Sequence, residues 1–563
     1  MGAEEEGAAQ KKLEERLTAI NLGEREKEAQ RIAEKSKLPY IDLSIAPIES
    51  QAVWLVPEAQ ARQAGVAVLH TLKKGEGGKL VQIALQDPKS EEALDLIETL
   101  KTNFSEVDLF VASRRSLEKA WERYLEAPAE SAVITGEVEM DSAEIEKLRK
   151  EIQTPEDVAD LIKKDPSQKA SDLLKIIIAG ALQTDASDIH LEFKEEKNLL
   201  RYRIDGILRD VLELSPSAHQ ALTGRIKLLS EMMLNRQDIA QDGRFTISLQ
   251  ETKIEIRVSV IPAAYGENTV MRVLNPKSIS LGLEDLGFRE DALELLKNEI
   301  KKPNGMIITT GPTGSGKTTV LYAFVREIAT SENKVVTLED PIEYHLPQIT
   351  QTQIEPEKGY DFAKGLRAIL RQDPDVVLVG EIRDKETAEI AVHAALTGHL
   401  LFSTLHTNDA AGAVPRLVDM GINAAILSSA LSDILAQRLV RRLCEKCREK
   451  ITAQDNDQEF IDQVIASMPE KLKQGRQKKN YEIFRAKGCP ACGQTGYKGR
   501  VGIFEILRVD DEMEKLIAKS PSHAEIKEAM LKNGDATMLH DGVIKVLEGL
   551  TSVEEIRSAV GEE

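Results

Sequence analysis

The stretch GMIITTGPTGSGKTTVLYAFVREIAT, residues 305–330, decides the fold of this chain. Residues 306–310 have the composition of a buried strand, and Gly311–Thr318 fits the pattern G-x-x-x-x-G-K-[ST] without a mismatch. The apolar residues between 320 and 328 recur at helical spacing. Strand, glycine-rich loop and helix follow one another in the order that a phosphate-binding loop requires. The alternative is a fortuitous glycine-rich turn, but such a turn would not need this strand and helix around it.

The chemistry of this loop points to a nucleotide. Glycines let backbone N–H groups turn toward phosphates, and the start of the helix adds positive potential. In such a loop the side chain of Lys317 reaches the β- and γ-phosphates, and the Thr318 hydroxyl binds Mg²⁺. We therefore predict ATP and Mg²⁺ as ligands. The predicted nucleotide-binding residues are Gly311, Pro312, Thr313, Gly314, Ser315, Gly316, Lys317, Thr318 and Thr319.

Two further apolar runs end in acids. VVTL is followed by Glu339, Asp340 and Glu343, and DVVLV is followed by Glu381. In nucleotide-hydrolysing sites of this kind one carboxylate serves the magnesium ion and another residue orients the attacking water. Glu381 fits the magnesium side, and Glu343, turned back by Pro341, could polarise water. Composition alone does not show which of the two carboxylates has which role. Asp340 could be a capping or surface residue, and Glu339 could orient a neighbouring residue of the site.

The rest of the chain divides around this motif. Residues 288–443 alternate strand and helix, which predicts a mostly parallel sheet and an α/β fold. In 166–275, strand patterns are joined by tight turns such as Asp205–Gly206. The predicted domains are an α/β module with a helical start (1–126), an acidic linker (127–165), a second α/β module (166–275), a P-loop domain (276–443), a cysteine-containing lobe (444–500) and a helical segment (501–563).

All four cysteines of the chain lie in two C-x-x-C pairs, Cys444 with Cys447 and Cys489 with Cys492. Paired C-x-x-C motifs are typical of a structural zinc site, and four thiolates leave no position for a catalytic water. The alternative is a redox dithiol, which normally opens a helix in a thioredoxin-like context that this sequence does not show. We predict a zinc-binding lobe with a structural role.

Composition limits the function classes. The net charge is −20 and aromatic residues make up 4% of the chain, which argues against a general nucleic-acid binder. No run of 18 apolar residues occurs, and the charged N-terminus lacks the apolar block of a signal peptide. We expect a cytoplasmic protein that reaches a membrane only through partners.

Four ordered motifs carry a resemblance to a known family. Segments 311–319 (GPTGSGKTT), 337–344 (TLEDPIEY), 370–384 (LRQDPDVVLVGEIRD) and 397–410 (TGHLLFSTLHTNDA) resemble the secretion and pilus motor ATPases, that is, type IV pilus assembly and type II secretion ATPases. The match runs from about 165 to 560. It implies a RecA-like P-loop motor domain, with Glu343 as the general base and Glu381 as the carboxylate on the magnesium side.

The resemblance implies further site residues. The histidine box of the family is matched by His399 and His406, of which His406 could contact the γ-phosphate, whereas a packed core role suits His399 equally. Segment 254–274 matches the PAS-like module that precedes the motor domain, which implies that Arg257 and Arg272 reach the γ-phosphate when the two domains close. Strand alternation puts Arg257 on a polar face, and that face could be the nucleotide cleft or a solvent-exposed surface with ion pairs.

The resemblance also implies the biological role. It predicts a homo-hexameric ATPase that pushes on an inner-membrane platform protein in type IV pilus assembly or, alternatively, in type II secretion. The tetracysteine lobe is similar to that of the assembly and secretion motors and is missing from their retraction relatives.

The cyclic di-GMP motif of some members does not occur in 1–37, so the N-terminal module is expected to dock another protein. The rival interpretations are a P-loop nucleic-acid translocase and a nucleotide-gated binding module that barely turns over.

Overall fold

The structure is a computed structural model that describes residues 26–53, 55–73, 79–101, 104, 106–125, 137–139, 147–148, 151–165, 168–195, 197–249, 252–275 and 281–561. The chain forms two compact units that divide between Leu274 and Asn275. Residues 1–25, which belong to the predicted helical start of the first module, and much of the acidic linker therefore lie outside the described residues. Among the helices that the structure describes, none combines the length and the apolar character needed to cross a bilayer.

The first unit begins with a small three-stranded sheet in the order β1-β2-β3. β1 pairs antiparallel with β2, and β2 pairs parallel with β3. Trp121 is buried against this sheet, and its indole N–H donates to the Val66 carbonyl at 2.9 Å. The elements are α1 (26–36), α2 (Ser50–Val53), α3 (Glu58–Ala64), β1 (Val66–Lys73), β2 (Lys79–Leu85), α4 (Glu91–Lys101), β3 (Glu106–Val111) and α5 (Arg114–Trp121).

The second part of the first unit is a seven-stranded sheet in the order β4-β8-β9-β10-β5-β6-β7. Asp205 and Gly206 form the tight turn between β6 and β7, and both have positive φ, as a two-residue hairpin turn of the primed type requires. The elements are β4 (Glu137–Glu139), α6 (Pro155–Lys164), α7 (Ala170–Gln183), β5 (Ala186–Phe193), β6 (Asn198–Ile204), β7 (Ile207–Leu214), α8 (Pro216–Leu229), β8 (Gln241–Leu249), β9 (Thr252–Ala263) and β10 (Gly266–Leu274).

The end of the acidic linker is part of this second core. Thr154 caps α6 and forms a capping box with Asp157, so the helix starts where the sequence changes from linker to amphipathic pattern. Val158 and Ile162 of α6 are buried in the same apolar cluster as the strands of the seven-stranded sheet. Burial of this face anchors the linker to the module that follows it.

The second unit contains a mostly parallel sheet, as predicted, in the order β13-β12-β14-β15-β11-β16-β19. Every neighbouring pair is parallel except β16 and β19. The elements are α9 (Glu290–Glu299), β11 (Gly305–Thr310), α10 (Lys317–Ile328), β12 (Val335–Glu339), β13 (Thr350–Gln353), α11 (Phe362–Leu370), β14 (Val376–Val379), α12 (Lys385–Leu396), β15 (Leu400–Leu405), α13 (Ala413–Asp419), α14 (Ala424–Ala430), β16 (Leu431–Leu443) and β19 (Tyr497–Arg508).

The cysteine-containing lobe lies between β16 and β19 in the chain. Residues 501–508, which the sequence analysis placed in the helical segment, belong to the last strand of the motor sheet, and helices follow only after it. Apolar side chains of α15 share one core with the C-terminal helices. The remaining elements are β17 (Glu449–Thr452), α15 (Asp455–Ser467), α16 (Glu470–Lys473), β18 (Glu482–Arg485), α17 (Asp511–Ile517), α18 (His523–Lys532), α19 (Met538–Leu547) and α20 (Val553–Val560).

A buried carboxylate on β19 joins the motor sheet to the C-terminal helices. Glu505 accepts hydrogen bonds from the backbone N–H of Ala410 at 2.8 Å and of Met538 at 3.3 Å. Burial raises the pKa of Glu505 to about 7, and the negative charge of Asp409 acts in the same direction, whereas the two N–H donors oppose it. In the unfolded chain a glutamate has an ordinary pKa of about 4.3. At pH values between the two pKa values, Glu505 is therefore protonated in the folded protein and ionised in the unfolded chain.

This difference predicts how stability depends on pH. Between about pH 4.5 and 7 the folded state binds more protons at Glu505 than the unfolded state, so the contribution of this residue to the free energy of unfolding falls as pH rises. Over this window the loss is about 3 kcal/mol. The melting temperature of the second unit in the wild type should therefore decrease relative to that of Glu505→Gln from pH 5 to pH 7.5, which scanning calorimetry can measure. Glu512→Gln, at an exposed position, is the control, and parallel curves for Glu505→Gln and the wild type would contradict the prediction.

Candidate active site

The loop between β11 and α10 has the conformation that phosphate binding requires. Gly311, Gly314 and Gly316 all adopt positive φ. A Cβ at Gly311 would lie 2.5 Å from the Gln437 carbonyl oxygen, so the loop cannot accept a side chain there. The side-chain amide of Gln437, on β16, donates to the Ser315 carbonyl at 2.8 Å and holds the loop from the sheet side.

Lys317 lies at the first position of α10 with its ammonium group turned to the loop. Its Nζ donates to the carbonyl of Gly311 at 2.7 Å and to that of Pro312 at 3.0 Å. Burial lowers the pKa of Lys317, and the negative charge of Glu381 opposes this change. The residue is therefore a partly desolvated cation close to a carboxylate, which suits it to a polyanionic ligand.

Glu381 is the carboxylate that the structure brings to this region. It follows β14 directly, is 13% exposed, and lies between two basic side chains. Oε1 pairs with Arg383 at 2.5 Å, and Oε2 is 3.5 Å from Nε2 of His406. Lys317, Glu381 and His406 thus lie together at the carboxyl edge of the parallel sheet, the edge where ligands bind in open α/β sheets.

The loop after β15 is tied to the strand that precedes the phosphate loop. The Thr310 hydroxyl accepts from the backbone N–H of Thr407 at 2.8 Å and is 2.7 Å from the Thr407 hydroxyl. His406 is thereby held next to the end of β11. His399 lies at the opposite end of β15, where its ring Nδ1 is 3.1 Å from the Ala394 carbonyl. That position supports the packed role for His399 over a role at the nucleotide.

The acids after β12 differ in their surroundings. Glu339 is buried and accepts from the Thr337 hydroxyl at 2.6 Å, from the Gln351 amide at 3.0 Å and from the hydroxyl of Tyr322. Asp340, which precedes the cis peptide bond to Pro341, is exposed. Glu343 follows on a loop at the same sheet edge as Glu381 and is half-buried. These surroundings fit the orienting role considered for Glu339 and the surface role considered for Asp340.

The two arginines predicted from the first unit face each other across neighbouring strands. Arg257 on β9 and Arg272 on β10 are direct partners in the antiparallel register. Arg257 pairs with Glu255 at 3.3 Å, and Arg272 pairs with Asp188 at 3.1 Å and is 58% exposed. Like charges in directly opposed positions destabilise a strand pair, and here each arginine is paired with a carboxylate that offsets this repulsion.

Two arginines that the sequence analysis missed extend the same row. Arg244 on β8 is opposite Arg257, and Arg203 on β6 is opposite Asp188, which separates it from Arg272. Arg203 is 3.4 Å from Asp188, a buried carboxylate that therefore pairs with both Arg203 and Arg272. Strand alternation shows which residues share a face of one strand but not which strands are neighbours, so the sequence held no signal for this row.

The four cysteine side chains form one cluster. Their sulfur atoms lie within 4.8 Å of one another, and three of the separations are 3.9, 3.8 and 3.8 Å. Four Zn–S bonds of about 2.3 Å at tetrahedral angles place sulfurs about 3.8 Å apart. The backbone N–H groups of Cys489 and Gly496 also donate to the Cys492 sulfur, as suits a thiolate. The donor set therefore fits a tetrahedral zinc ion.

Comparison with known proteins gives two matching family models. Residues 163–558 match the family described as type II/IV secretion system protein. Residues 36–131 match the MshEN domain, and this range contains the three-stranded sheet of the first unit. The first match covers the phosphate loop, the cysteine cluster and six strands of the seven-stranded sheet, β5 to β10, with the arginine row.

Individual relatives span nearly the whole chain. The type II secretion system ATPase E of Vibrio cholerae is 39% identical over 522 residues, which is 92% of this chain and 98% of that protein. The type IV pilus assembly ATPase PilB of Thermus thermophilus is also 39% identical, over 552 residues, which is 97% of this chain but 58% of that longer protein.

A solved structure supports the fold. The ATPase DotB of Legionella pneumophila superposes with a TM-score of 0.52 at 21% identity, and the alignment covers 70% of this chain and 97% of that one. The family match extends over more than half of the chain and includes the phosphate loop and the cysteine cluster. The chain belongs to the type II/IV secretion system protein family, and it is an ATPase of that family with an MshEN domain at the front.

Proposed function

We propose that this chain is the subunit of a homo-hexameric, cytoplasmic motor that hydrolyses ATP and pushes on an inner-membrane platform protein to assemble a type IV pilus. The observation that carries the proposal is the cluster of Lys317, Glu381 and His406 beside a correctly shaped phosphate loop. The motor reaches the membrane through its partners. The N-terminal module, which matches the MshEN domain, docks another protein.

In the proposed reaction the loop N–H groups and Lys317 bind the phosphates of ATP, and Thr318 and Glu381 are the residues that would hold a magnesium ion. Water attacks the γ-phosphorus, the bond to the bridging β–γ oxygen breaks, and Glu343 takes the proton of the attacking water. A bound Mg²⁺ would supply positive charge that offsets the charge developing on the phosphate oxygens. His406, which is close to Glu381, contacts the γ-phosphate or responds to its loss.

Arg257 and Arg272 are proposed to reach the γ-phosphate when the two units close over ATP. Their directly opposed positions on β9 and β10 support this role, because the two guanidinium groups lie on one face of the sheet, where both could meet the same anion. Closure in one nucleotide state and reopening in the next would convert hydrolysis into movement of one unit against the other. That movement is the proposed source of the force on the platform protein.

Type II secretion is the alternative role for the same machinery. The two relatives described above, one from a pilus system and one from a secretion system, are both 39% identical to this chain, so the identity of these two does not favour either role. Deletion of the gene in its source organism distinguishes them, because one role predicts loss of surface pili and the other predicts loss of secreted enzymes. An allele with Lys317→Ala should fail to restore the phenotype, whereas wild type restores it.

The nucleic-acid translocase loses support, since these relatives are named for secretion and pilus assembly.

The assignment of the two carboxylates predicts different kinetic defects. Glu343→Gln keeps the shape of the side chain but removes the base, so kcat should fall about 10²–10⁴-fold while KM for ATP stays within a few-fold. Glu381→Gln should instead raise the Mg²⁺ concentration needed for half-maximal activity. Steady-state phosphate release measured across a magnesium series checks both.

Glu357→Gln, at an exposed position on the same unit, is the matched control and should leave both parameters unchanged. An unchanged kcat in Glu343→Gln would show that this residue is not the base. A wild-type protein that binds ATP but releases almost no phosphate would favour the nucleotide-gated binding module.

The arginine pair predicts a loss of rate with little loss of fold. Arg272→Ala and Arg257→Ala should each lower kcat, by up to the ~10³–10⁵-fold attributed to arginines that neutralise a transferring phosphate. Arg236→Ala is the control, because Arg236 lies in the same unit and pairs with Asp238 at the surface. Phosphate release and the melting temperature are compared for the three variants. Equal activity in Arg272→Ala and Arg236→Ala would remove Arg272 from the site.

The cysteine cluster is proposed to hold one structural zinc ion per chain. Elemental analysis of the purified protein should find zinc, and Cys489→Ser should lose it together with much of the stability of the lobe, since zinc contributes on the order of 10–16 kcal/mol in small zinc peptides. In the wild type the four thiols should resist alkylation until a chelator is added. A redox dithiol predicts the reverse, with no zinc and a disulfide that forms under mild oxidation.

A further inference from the structure

One phenol joins the phosphate-loop helix to the segment that carries Glu343. Tyr322 lies on α10, five residues after Lys317 and therefore about 7.5 Å further along the helix axis. Its side chain is 1% exposed. The hydroxyl donates to Glu339, and its oxygen accepts from the backbone N–H groups of Glu343 and Tyr344. Burial raises the pKa of Tyr322 above its ordinary range, and the charge of Glu339 adds to this, so the hydroxyl keeps its proton.

The acceptor for this hydroxyl is itself fixed. Glu339, at the end of β12, is buried and accepts hydrogen bonds from the side chains of Tyr322, Thr337 and Gln351. A buried carboxylate with three donors has little freedom to change its rotamer, because losing any donor leaves an oxygen unsatisfied. Glu339 is therefore a rigid reference point from which Tyr322 is oriented.

Gln351 holds the same segment from the other side. Its amide N–H₂ donates to Glu339 at 3.0 Å and to the Tyr344 carbonyl at 2.9 Å, and its amide oxygen accepts from the Leu346 N–H at 2.7 Å. The backbone from 343 to 346 is thus bound at four groups by two side chains. One of those side chains comes from α10 and the other from β13.

We propose that Tyr322 is a positioning residue that fixes Glu343 relative to the phosphate loop. Lys317 and Tyr322 lie on one short helix, so the hydroxyl links the position of that helix to the position of the Glu343 backbone. Glu343 is then presented to the attacking water only when α10 and the 343–346 segment keep their relative placement. The inference rests on the proposed role of Glu343 as general base.

The first test is kinetic and uses the full chain. Tyr322→Phe keeps the ring in its buried place and removes only the hydroxyl, so ATP binding should be preserved. We expect kcat to fall about 10–100-fold with KM for ATP within about 2-fold of wild type. Tyr481→Phe is the matched control, because Tyr481 is also buried and its hydroxyl donates to a carboxylate, Asp462, at 2.8 Å in the cysteine-containing lobe. It should keep wild-type kcat.

The second test asks whether Tyr322 acts through Glu343. In a Glu343→Gln background the further change Tyr322→Phe should lower the residual rate by less than about 2-fold, because the group being positioned is already gone. A separate readout needs no catalysis: hydrogen exchange at the amides of Glu343 and Tyr344 should speed up at least about 10-fold in Tyr322→Phe, since both lose their acceptor.

The outcomes separate the two claims. If Glu343→Gln hydrolyses ATP normally, the assignment of the base fails whatever Tyr322 does. If Glu343→Gln is inactive but Tyr322→Phe keeps full kcat, the base stands and the positioning role is overturned. A loss in Tyr322→Phe that is equally large in both backgrounds, or a weakened affinity for ATP, would mean that the hydroxyl only supports the fold of α10, and this too overturns the proposal.

Discussion

The parallel register of β12, β14, β15 and β11 is the constraint on which the site depends. Parallel strands all end at one edge of a sheet, so the segments that follow them are delivered to the same place from distant parts of the sequence. The phosphate loop, Glu343, Glu381 and His406 each follow one of these strands. Local hydrogen bonds then refine the placement, as the Thr310–Thr407 contact shows for the loop after β15.

Much of the motor unit could be predicted from sequence, because its signals are local. The phosphate loop is contiguous, its glycines allow the positive φ that the loop needs, and each acid follows an apolar run with the composition of a buried strand. The cysteine pairs are equally local, and the sulfur separations fit the predicted tetrahedral site. Each of these motifs is recognised from its own short segment, where periodicity and spacing carry the information, although the two cysteine pairs meet across a separation of 45 residues.

The features that sequence did not predict depend on pairing between distant segments. Strand alternation places Arg257 on a polar face, but only the register of β6, β5, β10, β9 and β8 aligns it with Arg203, Arg244 and Arg272. In the sequence Tyr322 cannot be distinguished from the apolar residues of an amphipathic helix, because its polar partners lie elsewhere, at the end of β12 and in the loop that follows it. The sequence alone places residues 501–508 of β19 in a helical segment, because the partner strand β16 lies more than fifty residues earlier.

The cysteine-containing lobe enters and leaves the motor sheet through two strands that are paired with each other. Leu443, at the end of β16, is the register partner of Tyr497, at the start of β19, so the points of entry and exit are adjacent. The lobe is therefore an insertion at a hairpin: a tight turn could reconnect the two strands, while the C-terminal helices that share a core with α15 would need a polar face in its place. This topology offers a simple structural route by which one ancestral motor could gain or lose an entire domain without rearranging the strands beneath the nucleotide.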